Sequence, residues 1–325
     1  MSMCRSPGIA GGSGAKGVIN MGGLLYITQT ALELGFMYAL VPMALFLSYR
    51  VLDIADLTTD GGFVLGAAVS VTCAAAGHPV LGLFAAMLAG ACAGFITAFL
   101  QTRLGVPSIL AGIVTNTGLY TINLMAMGWK SNASLLKQKT VFTLFKSTGI
   151  GGAYSDLILA AAITVLAGAL LWAFLGTRLG LSIRATGDNR DMVRASSVNP
   201  TFTITVGLCI ANALTALSGA VVGQAQKSAD INAGTGVVVI GLACLIIGET
   251  IIGRRSMLRG VIAVILGSIV YRFIYAVVLY TKIVPIDCLK LVTAFVVGLA
   301  IAMPSLKSWF AFQRRKLAAS RKGGV

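Results

Sequence analysis

Two polar stripes and one short charged run carry most of the chemistry that this sequence offers. In "GIVTNTGLYTINLM", Asn116, Tyr120 and Asn123 recur at i, i+4 and i+7, one face of a helix, with Thr117 and Thr121 beside them. Asn212, Thr215 and Ser218 form a second stripe at i, i+3 and i+6. Amides and hydroxyls in such an arrangement can line a path for a polar solute, or they can hydrogen-bond neighbouring helices to one another; the residue types alone do not choose. The charged run is "IRATGDNRDMVRASSVNP", Ile183 to Pro200. Within it a short helix is predicted from Ala185 to Ser197. Gly187 interrupts its start, Asp188 caps the turns after it, and Arg190 and Arg194 share a face at i, i+4. Asp191 adjoins Arg190 in sequence but points elsewhere.

Catalytic chemistry is not written here. There is no HExxH, no paired aspartate and no Ser/His constellation in the apolar segments, and His78, in the turn "AGHPV", is the only histidine. The six cysteines are scattered without a CxxC, so neither a disulfide framework nor a metal site is expected. "GGSGAKG" is glycine-rich with a lysine but lacks the spacing of a phosphate-binding loop. No catalytic residue is assigned.

The elements that must position these residues can be read from composition. The chain is 57% hydrophobic and 11% charged, with a mean hydropathy of +0.90. Apolar runs near twenty residues with so little charge imply a membrane protein. The runs are 33–52, 61–77, 80–101, 107–127, 155–176, 201–223, 235–252, 257–280 and 288–304. The expected fold is therefore all-α, a polytopic membrane protein of about 8–10 transmembrane helices, because lipid admits only helices and closed barrels. Residues 1–20 are predicted to be a flexible lead-in, 21–306 the membrane domain and 307–325 a basic cytoplasmic tail.

The net charge of +15 comes with no nucleic-acid motif, so it is taken as a topology signal rather than a sign of nucleic-acid binding. The basic tail, the loop 177–200, "GRRSMLRG", Arg103 and Arg50 are placed on the cytoplasmic side. The segment 130–146, with four lysines, falls outside, where a binding protein with acidic lobes could dock.

Glu33 and Arg272 are the ionisable residues that fall most clearly within or against spans, with Glu249 near the end of another. A charge at the bilayer centre costs roughly 2.5–3.5 kcal/mol or more, so each needs a partner, water or a route to the surface. A Glu33–Arg272 pair is one solution; Arg272 attracting a substrate carboxylate is another. Glu249 can pair with Arg254 or Arg255, or meet a partner protein. Asp60 and Asp230, near the starts of two similar segments, are each expected to cap a half-helix.

"VPSILAGIVT" and "VPIDCLKLVT" share Val, Pro, Val and Thr in register, and "DLTTDGGFVLGAAV" resembles "DINAGTGVVVIGLA" upstream of each. The order is the same in both copies, so two repeats are predicted, about 53–127 and 228–304. Five spans separate their starts, which makes the copies inverted, a common plan for transporters.

"DLTTDGGFVLGAAV", "LGLSIRATGDNRDMVRASSVN", "ALSGAVVGQAQ", "GVVVIGLACLIIGE" and "LGSIVYRFIY" together resemble the permease subunit of bacterial ABC importers, in the branched-chain amino acid and ribose permease superfamily. Within it the resemblance points to the branch paired with binding proteins for aromatic amino acids, over about 24–306. It implies that the 177–200 loop, with Arg184, Gly187, Asp188, Asn189, Arg190, Asp191 and Arg194, is a coupling helix docked in an ATPase subunit. It also implies that ATP and Mg bind on that ATPase, with no cofactor on this chain. The partners implied are the ATPase, an extracytoplasmic substrate-binding protein and a second permease copy, in the bacterial cytoplasmic membrane. The competing expectation is an ion-coupled secondary transporter. That class would need an intramembrane carboxylate, and here the acids mostly lie at span ends.

Overall fold

The computed structural model describes residues 21–136, 138–149, 152–253, 256–281, 294, 295, 297, 298 and 302. The lead-in 1–20, "VPIDCLKLVT", most of the 288–304 span and the tail 307–325 lie outside the described residues.

The other eight expected spans are helices. They are α1 (Met21–Leu45, continued by a π-helical turn, Phe46–Val51), α2 (Thr59–Ala75), α3 (Pro79–Thr102), α4 (Ser108–Ala126), α6 (Ser155–Leu175), α9 (Pro200–Gln226), α10 (Val237–Ile252) and α11 (Met257–Thr281). The short helices α5 (Val141–Ser147), α7 (Arg178–Asp188) and α8 (Arg190–Ala195) sit between them. Six of the long helices are long and apolar enough to cross a membrane. The exceptions are α2, with 17 residues, and α10, with 16. One two-stranded antiparallel ribbon interrupts the helical architecture, β1 (Asn132–Ser134) against β2 (Ser228–Asp230), with Ala133 opposite Ala229.

Helix α9 occupies the centre, packed by α1, α2 and α3. Its neighbour α1 is nearly all buried from Ala39 to Ser48. By contrast α3, α4 and α6 turn Phe84, Leu88, Phe95, Val114, Leu166 and Leu170 outward. An apolar outer face is the form that lipid solvates.

Small residues bring pairs of helices into main-chain contact. A methyl group at Gly66 would overlap the Ala216 carbonyl, and one at Gly219 the Phe63 carbonyl, so α2 lies directly on α9. The same holds between α10 and α11, where Gly248 meets the Ala263 carbonyl and Gly267 the Cys244 carbonyl. The second helix of each proposed repeat thus packs on the first, α3 on α2 and α11 on α10.

The two short helices start beside one another and run apart. Asp60, in the first turn of α2, bonds the first turn of α10. From there α2 runs to the end of the bundle where Thr72 donates to the Ala126 carbonyl at 2.8 Å, and α10 runs to the opposite end, where Glu249 meets Arg50.

Candidate functional site

The meeting point of α2 and α10 is built from carboxylates placed by local turns. Asp56 is 3% exposed; its Oδ1 accepts the Thr58 backbone N–H at 2.9 Å, a turn that breaks the chain just before α2. Its Oδ2 accepts Asn212 Nδ2 at 2.7 Å. Four residues on, the Asp60 carboxylate accepts the backbone N–H groups of Gly236 at 3.1 Å and Val238 at 2.9 Å. The expectation that Asp60 and Asp230 each cap a half-helix holds for Asp60 and is corrected for Asp230. Asp60 caps the helix of the other repeat, and Asp230 accepts from the Asn232 backbone N–H within its own turn, at 2.7 Å. The reason is the close seating of the two starts: Gly234 lies against the Asp60 carbonyl, with no room for a side chain.

Two clefts open on this point. The smaller, about 370 Å3, is lined by Asp60, Asn116, Thr117, Tyr120, Asn123 and Thr235, among others. The first polar stripe therefore borders open space. Asn123 donates to the Gly61 carbonyl at 3.2 Å, and its Oδ1 is buried with no partner among the described residues. Thr117 donates to the Ile113 carbonyl of its own helix.

The second stripe borders neither of these two clefts. Asn212, Thr215 and Ser218 are buried in helix seams. Asn212 bonds Asp56, Thr215 donates to the Ala211 carbonyl at 3.1 Å, and Ser218 donates to the Met37 carbonyl of α1 at 2.9 Å. A stripe on the central helix is enclosed on all sides, whereas the same pattern on the peripheral α4 is not.

The larger cleft, about 430 Å3, is lined by Tyr38, Thr235, Tyr271, Arg272 and Tyr275 among others. Thr235 borders both clefts. Arg272 does not pair with Glu33. Its guanidinium carbon stacks 3.5 Å from the centre of the Tyr38 ring and 6.0 Å from that of Tyr275, while Glu33 Oε1 accepts from Gln29 Nε2 at 2.9 Å. Glu249 pairs with Arg50, whose Nε lies at 3.2 Å; the expected partners Arg254 and Arg255 lie outside the described residues.

The charged run folds as two helices meeting at an elbow. Asn189, not Asp188, is the cap: its side-chain oxygen accepts from the backbone N–H groups of Asp191 and Met192, both at 3.0 Å. Asp188 is the last residue of α7, and Gly187 lies within α7 rather than interrupting a helix start. There Gly187 sits on the Val51 carbonyl so closely that a methyl group would overlap it. Arg190, Asp191, Met192 and Arg194 project into open space from α8, Arg184 is half-buried, and Val193 anchors α8 from beneath. Asp191 does turn toward a basic partner, Arg194, at 3.9 Å, a surface contact of little energetic weight. Thr186 and Thr203 share a buried hydroxyl contact at 2.8 Å that ties α7 to α9.

Sequence reasoning missed Asp56, Arg50 and Tyr38 as members of the site. Only Asp56 carried a local signal, the aspartate two residues ahead of "TTD" that favours a turn.

Apolar helices, polar clefts where two opposed short helices begin, and an exposed charged elbow at one end together define a multi-pass membrane transport protein. The chain belongs to the family described as "Branched-chain amino acid transport system / permease component", which matches residues 27–303, and it is a permease subunit of an ABC transporter. It is 32% identical over 287 residues to the tyrosine transport system permease protein of Clostridioides difficile (strain R20291), covering 88% of this chain and 92% of that one. It is 33% identical over 287 residues to an uncharacterized protein of Rickettsia prowazekii (strain Madrid E), covering 86% and 98%. A solved ABC transporter in an inward-facing conformation overlaps 92% of this chain and 93% of its own at 14% identity and a TM-score of 0.47.

Proposed function

We propose that this chain forms the membrane path of an ATP-driven importer for an amino acid, aromatic amino acids favoured, in the bacterial cytoplasmic membrane. A substrate-binding protein delivers the solute outside, and a separate ATPase subunit, carrying ATP and Mg, grips the α7–α8 elbow inside. A homodimer of permeases completes the path. The observation that carries this reading is the seating of the elbow. Gly187 rests on Val51 main chain to main chain, Val51 ends the turn that holds Arg50, and Arg50 holds Glu249 of α10. A push on α8 therefore reaches, through packed atoms, one of the two short helices that border the clefts. The solute class is supported by the name of the relative from Clostridioides difficile. On the opposite end, Lys130 and Lys139 stay exposed beside the ribbon, while Lys146 is taken by Asp156 at 2.7 Å. Those two cations suit a delivery protein with acidic lobes. Lys137 lies outside the described residues.

The test is a mild-detergent pull-down of the chain from its native membrane, after cross-linking, with mass spectrometry. An ATPase subunit at equal stoichiometry is expected. A chain that comes down alone would overturn the ATP-driven reading and favour an ion-coupled secondary transporter.

A further inference from the structure

We propose that Arg272, stacked on Tyr38, holds the carboxylate of the solute in the larger cleft, with Tyr275 offering the aromatic surface that an aromatic or large apolar side chain lies against. The inference rests on the amino-acid reading above and names the residue within the path that would enforce it.

The argument begins with an unmatched charge. Arg272 lies within α11, one of the helices long and apolar enough to cross a membrane. An arginine so placed is costly without a counter-ion, and such residues mark solute pathways more often than they serve packing. Among the described residues no carboxylate lies within ion-pair distance of it, and none accepts a hydrogen bond from it. The face of Tyr38 lies 3.5 Å from its guanidinium carbon. Stacking on a ring uses the flat side of the guanidinium and leaves its N–H donors at the edge, in the fork that fits two carboxylate oxygens.

The second observation is a second unmet group. Tyr271 is 2% exposed, lines the same cleft, and its hydroxyl has no hydrogen-bond partner among the described residues. A buried hydroxyl left unpaired costs free energy that an incoming acceptor would recover. A cleft of about 430 Å3 falls in the range of small-molecule sites. Its wall combines one cation, one unpaired hydroxyl and aromatic surface, complementary to a carboxylate on an apolar or aromatic frame. A neutral sugar would leave the arginine unpaired.

The experiment uses the complete importer, with its ATPase and binding protein, in proteoliposomes. Wild type, Arg272→Gln and Arg272→Lys are each assayed for uptake of the common amino acids, radiolabelled one at a time. Co-purification with the ATPase and the melting temperature are measured in parallel. For the amino acid that wild type imports, uptake by Arg272→Gln should fall by roughly tenfold or more, the size expected for a lost charge-assisted fork. Arg272→Lys, which keeps the charge and loses the fork, should fall between. Assembly and melting temperature should hold in both. Unchanged uptake by Arg272→Gln would overturn the inference. So would a loss of uptake that comes only with lost assembly in both variants, because the arginine would then be a structural or lipid-headgroup anchor. If wild type imports none of the amino acids, the underlying reading fails, a result distinct from either.

Discussion

The carboxylate of Asp60, in the first turn of α2, caps the first turn of α10 by accepting the Val238 backbone N–H at 2.9 Å and that of Gly236 at 3.1 Å. A helix that begins within the membrane domain has N–H groups that neither lipid nor its own turns can satisfy. Here the first repeat supplies the acceptors for the second. The contact also brings a negative charge to the positive end of the α10 dipole.

Replacing Asp60 with Ala should lower the melting temperature of the detergent-purified protein. Loss of a cap costs about 0.5–2 kcal/mol in water-soluble helices, and the same range is expected at this part-buried site. Asp60→Asn keeps one good acceptor and should fall between wild type and Ala. Equal melting temperatures for wild type and Ala would show that the cap contributes nothing.

Reversing the charge of Arg190 and Arg194 together should abolish uptake while the protein still reaches the membrane in normal amount. Both side chains stand clear of the bundle, so folding has no stake in them. Membrane-fraction immunoblotting and an uptake assay separate the two effects. Normal uptake by the double variant would remove the elbow from the coupling role.

Asn116→Leu and Asn212→Leu should part company. Asn212 holds the buried Asp56 carboxylate, and leaving a buried charged acceptor without its donor costs about 1–3 kcal/mol or more. Asn212→Leu should therefore be poorly folded, with low yield after size-exclusion chromatography. Asn116 borders a cleft, so Asn116→Leu should retain yield and lose transport. Equal losses of yield in both would place Asn116 in the packing rather than in the path.

How far the sequence foretold the structure depends on the range of the interaction. The long helices were legible because an apolar run in lipid has one outcome, as 155–176 and 201–223 show against α6 and α9. The elbow was legible through its resemblance and its mixed charges, though its cap was assigned one residue early. The partners of Asp60, Glu249 and Arg272 were not legible. Val238, Arg50 and Tyr38 are far from them in the chain and carry no pattern that marks them. For Asp60 a cap on backbone N–H groups was expected, but nothing marked α10 as the helix that supplies them. For Arg272 the expected ion pair gave way to an aromatic face, and for Glu249 the distant Arg50 went unforeseen. The three-residue strands were too short to show any alternation.

The glycine seams have a mechanical consequence. Where α2 meets α9 and α10 meets α11, carbonyl against glycine, neither pair can slide without lifting one backbone off the other. Each pair is a stiff lever. Between the levers lie α1, packed on both, and the junction where Asp60 caps α10 and Gly234 lies on the Asp60 carbonyl. Under the coupling proposed above, a stroke at the elbow would rock one lever against the other about that joint, opening the clefts in turn while the α2–α9 and α10–α11 seams stay closed.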